Sequence, residues 1–315
     1  YGVLSGLEVL DSLNAGKVRT RRAIEVVAWT NEEGSRFSPG AIGSSYFAGH
    51  STLETVLDNM DSDGVFFRDA LAATLTATAV PFRPQGGIIP HAYIETHIEQ
   101  GPLLEAKDLQ IGVVSGIQGI CHLDVVITGE EAHAGTTPRR SRKDALASAV
   151  SIITALEALT ADEGETTRFT VGRCEVSPGS PNTVPGRVHF TIDLRHPDAD
   201  VIETLQNKIR QTAIERADPC TVEVLDNLFV PPTTFQPAVV STIRDSAKAL
   251  GLDYLDMPSG AGHDAMHLSS ICQSGMIFVP CLNGVSHNES ESAKPEDLAA
   301  GARVLAETLT RLANS

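Results

Sequence analysis

Two kinds of strand pattern occur in this chain, and few folds accommodate both. Residues 23–30 (AIEVVAWT) and 276–281 (MIFVPC) are short, nearly continuous apolar runs. Such runs suit strands covered on both faces, in a parallel or mixed sheet between helices. Residues 188–195 alternate instead. Val188, Phe190, Ile192 and Leu194 face one way, while Arg187, His189, Thr191, Asp193 and Arg195 face the other. That is a sheet with one covered face. The combination predicts an α/β protein: a catalytic-type domain with a mixed sheet between helices, carrying an inserted α+β domain.

The remaining periodicities fit this division. Leu4, Leu7, Leu10 and Leu13 predict a helix over 2–14, ended by Asn14-Ala15-Gly16. A strand over 91–99 places Tyr93, Glu95, His97 and Glu99 on one face. From about residue 113 the order is strand 123–128, helix 143–159, strands 169–175 and 188–195, helix 200–216 and strand 221–225. Pro231-Pro232 marks the return, followed by a helix at 239–250, a Gly-rich loop at 258–262, the strand at 276–281 and a helix at 295–313. The expected domains are therefore 1–112 with 230–315, and 113–229.

At 315 residues, with 42% hydrophobic and 20% charged residues, the chain can bury a real core. A net charge of −16 argues against non-specific binding to nucleic acid or anionic lipid, though a local basic pocket could still take an anionic substrate. No run of 18 apolar residues marks a membrane span. The cysteines Cys121, Cys174, Cys220, Cys272 and Cys281 are odd in number and form no CxxC pair. They predict a reduced, cytoplasmic protein that uses them as buried small hydrophobes. The sequence opens at Tyr1, directly into a helical pattern with no N-cap, and the expectation is that an N-terminal portion precedes it.

Three groups capable of binding metal stand near expected strand ends, where α/β folds place ligands. These are the pair Glu32-Glu33, then His97, then His287. In an adjacent carboxylate pair one member can ligate a metal while the other serves as a general base, although such a pair is also at home in a solvated turn. Asn182 and Arg195 look like substrate readers, because a planar guanidinium matches a carboxylate; Arg195 could equally pair with Asp193 or Asp198. The loop from Pro258 to Gly262 allows close backbone approach to an anion but has no nucleotide-loop spacing. His133, in a polar loop, could donate to an oxyanion or cap the following turn.

Six motifs in order are TNEEGSRF (30–37), HIEQGP (97–102), HAGTTP (133–138), NTVPG with DLR (182–186 and 193–195), PSGAGHDA (258–265) and GVSHN (284–288). Together they resemble the N-carbamoyl-L-amino-acid hydrolases, β-ureidopropionases and allantoate amidohydrolases, within the aminopeptidase-like dinuclear metallohydrolases. The likeness runs from Tyr1 to the last helix. It implies hydrolysis of a carbamoyl C–N bond in a small carboxylate-bearing ureido substrate, releasing ammonia and CO2. It implies two divalent ions, Zn2+ or Mn2+, with Ni2+ and Co2+ also open. By position, Glu33, His97 and His287 are metal ligands and Glu32 is the general base. Gln100, Asn182, Arg195, Gly262 and His263 hold substrate, and His133 stabilises the oxyanion.

The inserted domain is expected to act as a lid and to form a homodimer, in which His133 and the Asn182/Arg195 pair serve the other subunit. Two further ligands of the family, a His and a bridging Asp, are expected upstream of Tyr1, so the chain taken by itself is expected to be inactive. Arg139-Arg140 stands where the family commonly has a Met. A related metallopeptidase or aminoacylase, or a metal-free carboxylate-binding protein, are the alternative readings.

Overall fold

The computed structural model describes residues 1–78, 89–162 and 164–315. The chain divides into two compact units, Tyr1–Ile117 with Thr234–Ser315, and Gln118–Thr233. The first unit opens with helix α1 (Gly2–Ala15), followed by three short helices, α2 (Ile42–Phe47), α3 (Leu53–Leu57) and α4 (Phe67–Ala77). Strand β1 (Ala92–Ile98), helix α5 (Leu103–Ala106) and strand β2 (Ile111–Ile117) complete its first half. The second unit holds β3 (Gly119–Thr128), β4 (Ala132–His133), α6 (Ala145–Thr160), β5 (Arg168–Ser177), β6 (Thr183–Val184), β7 (Arg187–His196), α7 (Ala199–Arg216) and β8 (Thr221–Val230). The chain returns through β9 (Thr233–Thr234) to α8 (Pro237–Ala249), β10 (Tyr254–Ser259), α9 (Asp264–Leu268), β11 (Gln273–Val279) and α10 (Pro295–Asn314).

The sheet of the first unit is mixed, in the order β1-β11-β2-β10. β1 runs parallel to β11 and β10 parallel to β2, while β11 and β2 are antiparallel. Its two middle strands are apolar on both faces: Ile111, Val113, Val114, Met276, Ile277, Phe278 and Val279 are all buried. Helix α8 covers the sheet with Val239 and Ile243, which leave room only for a glycine at Gly275. Helix α10 begins with Pro295, then Glu296 and Asp297, a good start for a helix, and buries Ala300, Val304 and Leu305.

One expectation fails in this unit. Residues 23–30 form no strand. Their exposure alternates, with Val26 half-buried against Gly6 and Val27 exposed. A run of apolar residues becomes a strand only where a neighbouring strand pairs along it, and the Thr30 carbonyl at its end accepts instead from Gly43 N–H of α2 at 3.1 Å. Helix α1 forms where the leucine spacing places it, with another face buried. Leu4 and Leu7 are exposed, while Ser5 and Val9 are buried. Ser5 Oγ meets Thr96 Oγ1 of β1 at 2.6 Å.

In the second unit the sheet β5-β7-β3-β8 is antiparallel throughout. Leu123, Val125, Ile127, Val188, Phe190, Ile192 and Leu194 line one face. Ile152 and Leu156 of α6 and Ile202 and Ile209 of α7 complete that core. Each such side chain contributes about 1.5–3 kcal/mol through burial. Asp144 and Asp198 cap α6 and α7, their carboxylates accepting first-turn N–H groups. The other face carries His122, Asp124, His189, Asp193 and Arg195, so the alternation read over 188–195 describes this sheet. All five cysteines are free, but only Cys121 and Cys281 are buried. Cys174 is exposed on an edge strand and Cys220 and Cys272 are half-buried, which corrects the expectation of five core thiols.

Candidate active site

In the first unit three loops bring the acidic and imidazole groups together. The turn carrying Glu32 and Glu33 is fastened from behind. Ala41 N–H donates to Glu32 O at 2.8 Å, and Asn31 Nδ2 donates to Phe37 O at 2.7 Å. Asn31 has φ 56°, a left-handed conformation that Asn tolerates better than most residues. The loop after β1 turns at Gln100, φ 57°, and is held by Glu99. The buried Glu99 carboxylate accepts Leu103 N–H at 2.9 Å and Leu104 N–H at 2.8 Å, so this Glu starts α5 and leaves the chemistry to its neighbours. Gln100 Nε2 donates to Ser286 Oγ at 2.8 Å, stitching this loop to the one that carries His287. The two loops touch at Gly284, where a Cβ would lie 2.8 Å from Gly101 C and Pro102 N.

Glu33 Oε2 and His287 Nε2 lie 3.6 Å apart, both side chains well exposed at 65% and 72%. An ion pair so open to water adds little stability, so the pair does not serve to brace the loops. Glu32 is half-buried. Burial, then the Glu33 carboxylate, raise its pKa, while His97 and His287 pull it down. These four side chains therefore share one electrostatic environment. His97 Nδ1–H donates to Ile98 O at 2.9 Å, which leaves the Nε2 lone pair as its available ligating atom. The His97 ring packs on His263, 4.7 Å between centroids.

His263 is buried and held in one tautomer. Ser259 Oγ donates to Ala261 O at 3.0 Å and so accepts from His263 Nε2–H at 2.9 Å. Burial, aided by His97, lowers His263 to about 3, and the ring is neutral at physiological pH. Gly262, beside it, faces open space.

The sequence patterns missed a second acidic layer behind these groups. Burial, then Asp264, push Glu95 up to about 8. Its Oε2 accepts Ala265 N–H at 2.9 Å and Tyr93 O–H at 3.1 Å. Burial, with Glu32 adding to it, raises Asp264 to about 6, and Asp264 Oδ1 has no hydrogen-bond partner among the described residues. The clue was on the strand itself, since Glu95 shares the face of His97.

In the second unit β4 and β6 set His133 opposite Thr183, and Ala134 N–H donates to Asn182 O at 2.9 Å. His133 and Asn182 are thus neighbours. Asn182 Oδ1 accepts Ser180 O–H at 2.7 Å. Arg195 grips Asp193 side-on, Nε to Oδ1 at 2.9 Å and Nη2 to Oδ2 at 2.8 Å. Burial pushes Asp193 up, but the bonds and charge of Arg195, with His122, hold it below the usual carboxylate range.

Carboxylate and imidazole donors suit a borderline divalent cation, and the buried acid with an orphaned oxygen at Asp264 is an excess of negative character that a cation offsets. In kind the donors fit such an ion. In number they make a pair, Glu33 with His287, and among the described residues no three His, Cys, Asp or Glu converge as a metal-holding group.

A half-buried carboxylate of raised pKa beside a carboxylate–imidazole pair suits proton transfer in hydrolysis. Residues 1–311 match the profile of peptidase family M20/M25/M40, and the chain belongs to that family. It is 39% identical over 310 residues to an N-carbamoyl-L-amino-acid amidohydrolase of Rhizobium meliloti, covering 96% of this chain and 73% of the relative. It is 34% identical over 316 residues to the allantoate amidohydrolase of Escherichia coli, covering 99% and 76%. A solved amidase of the hydantoinase/carbamoylase family from Burkholderia multivorans superposes with TM-score 0.94 at 42% identity, over 99% of this chain and 76% of that one. The chain is thus an amidohydrolase acting on carbon–nitrogen bonds, of a metal-dependent family. Among the described residues no helix is long and apolar enough to cross a membrane.

Proposed function

We propose that this protein cleaves the carbamoyl C–N bond of a small ureido substrate with a carboxylate, an N-carbamoyl amino acid or allantoate, releasing ammonia and CO2. The observation that carries this reading is Glu32, half-buried with a raised pKa, beside the Glu33–His287 pair and His97. Glu33, His97 and His287 would hold divalent metal, two ions of Zn2+ or Mn2+, with Ni2+ and Co2+ as alternatives. When bound, the metal supplies Lewis-acid polarisation of the carbonyl and a water acidic enough to attack at neutral pH. Glu32 takes the proton of the attacking water and delivers it to the leaving nitrogen; a carboxylate of raised pKa is the better base. His133 donates to the developing oxyanion, a contribution of about 3–4 kcal/mol for one well-placed donor. Arg195 and Asn182 take the substrate carboxylate, with Gln100, Gly262 and His263 as further contacts. The second unit serves as lid and homodimer contact, and the free cysteines support a cytoplasmic location.

The test is release of ammonia, or of free amino acid from the acetyl and peptide compounds, by the purified full-length protein supplied with each of these metals, with and without chelator. The panel comprises N-carbamoyl-L-amino acids, N-carbamoyl-β-alanine, allantoate, N-acetyl amino acids and dipeptides. Chelator-sensitive turnover of at least one ureido compound is expected. Turnover confined to acetyl or peptide bonds would move the assignment to an aminoacylase or peptidase.

A further inference from the structure

We propose that Arg142 is a positioning residue for His133, and that the loop between them presents the imidazole as an Nε2–H donor. The proposal rests on the reading of His133 as the oxyanion donor and explains how an exposed ring is readied for that role.

Two backbone amides of the loop point at the same ring nitrogen. Gly135 N–H and Thr136 N–H donate to His133 Nδ1 at 3.1 and 3.3 Å. Two donors at Nδ1 require a lone pair there, so a neutral ring carries its hydrogen on Nε2, on the side away from the loop. Glycine at 135 makes room for this approach, since a Cβ there would lie 3.2 Å from His133 Cε1 and 3.5 Å from Nδ1.

Arg142 holds the loop on either side of His133's donors: at the peptide unit that itself carries the Gly135 N–H, and at the 137–138 unit beyond Thr136. Its Nε donates to Thr137 O at 2.9 Å and its Nη2 to Ala134 O at 2.7 Å. One rigid fork thus fixes the carbonyls on both sides of the 135–136 amide pair, which a single ammonium cannot do. The base of the fork is itself fixed. Arg142 N–H closes a turn on Arg139 O at 3.2 Å, and Asp144 two residues on caps α6, whose Ala145, Ala149 and Ile152 are buried. Between them, the Lys143 carbonyl accepts Glu130 N–H at 2.9 Å and passes so close to Gly129 that no side chain fits there. On the other side Ala134 is tied to Asn182, so the clamp spans the loop from a helix to a strand. The neighbouring Arg139 and Arg140 are exposed, and among the described residues neither side chain bridges the loop as Arg142 does.

The test has two readouts. Nitrogen-15 NMR of histidine-labelled protein, with His133 assigned through His133→Gln, reports the tautomer directly. A bare, imine-type Nδ1 and a protonated Nε2 are expected, and a protonated Nδ1 in the unaltered protein overturns the proposal without any assay. Arg142→Ala should give mixed tautomers at His133 and lower kcat about 10- to 100-fold with KM changed far less, the scale of a displaced reacting group. Added guanidinium should recover part of that rate. Arg142→Ala with an unchanged tautomer and kcat overturns the proposal. Should that variant fail to fold, Arg142→Lys is measured instead, with the same two outcomes. If the unaltered protein turns over no ureido compound, the functional reading fails while the NMR result still decides the tautomer. If it turns over and His133→Gln is fully active, the role of His133 fails.

Discussion

Glu32 shows how much one residue's surroundings decide. Its neighbour Glu33 is exposed and pairs with His287, while Glu32 is half-buried with a raised pKa. Glu32→Gln is expected to lower kcat about 100- to 10,000-fold with bound metal unchanged, since it removes a base and no ligand. The acid limb of kcat/KM should lie above the ordinary carboxylate range, activity falling as pH drops through the raised pKa and the base becomes protonated. A near-normal rate in Glu32→Gln, or an acid limb the variant keeps, contradicts the assignment. Glu95 makes a different prediction. Its pKa goes from 4.5 to about 8 on folding, so between those values the folded state binds more protons than the unfolded one. Stability therefore falls as pH rises through that window, by at most about 1.4 kcal/mol per pH unit for one proton. Glu95→Gln keeps both accepted bonds at its remaining oxygen and should flatten the decline. Melting temperatures at pH 5 and pH 8 check it, and equal losses in both proteins would refute it.

Elements were legible where period and length agreed. The helices α6, α7, α8 and α10 and the strands β3, β5 and β7 carry their spacing over ten or more residues, and all were expected close to where they lie. The short elements α2, α3, β2 and β10 were not. β2 (IGVVSGI) is a buried strand interrupted by glycines, and α2 is a single-turn helix held by its neighbours, so neither carries a period long enough to read. Residues 23–30 show the reverse error, because a β-like composition states what a segment could pair with and says nothing of whether a partner is present. The candidate ligands came from motif order, and of them the structure sets Glu33 and His287 3.6 Å apart. Glu95 and Asp264 were not legible, because burial of an acid is a property of the packed elements around it. One element-scale feature is directly testable. Gly284 has φ +65° and its missing Cβ lets the His287 loop lie on Gly101 and Pro102. Gly284→Ala should cost about 1–3 kcal/mol, through strain and separation of the two loops. Thermal unfolding measures it, and an unchanged midpoint would show that the loops are not tightly joined.

For the whole molecule, each unit has its own sheet and buried core, so each can keep its own part of the chemistry in shape. The first brings Glu32, Glu33, His97 and His287 into one electrostatic environment; the second shapes the His133 loop and holds the Arg195 guanidinium on Asp193. The net charge of −16 argues against non-specific binding to polyanions, and the one strongly directed cation among the site candidates is Arg195. The central claim is that folding turns scattered Glu and His residues into a metal-dependent C–N hydrolase. Ammonia release by the full-length protein from an N-carbamoyl-L-amino acid before chelation, after chelation and after return of Mn2+ or Zn2+ tests it most directly. Activity should vanish with chelator and return with metal in the unaltered protein, and should not return in Glu33→Ala or His287→Ala. A rate indifferent to chelator, or fully restored in both variants, would contradict it.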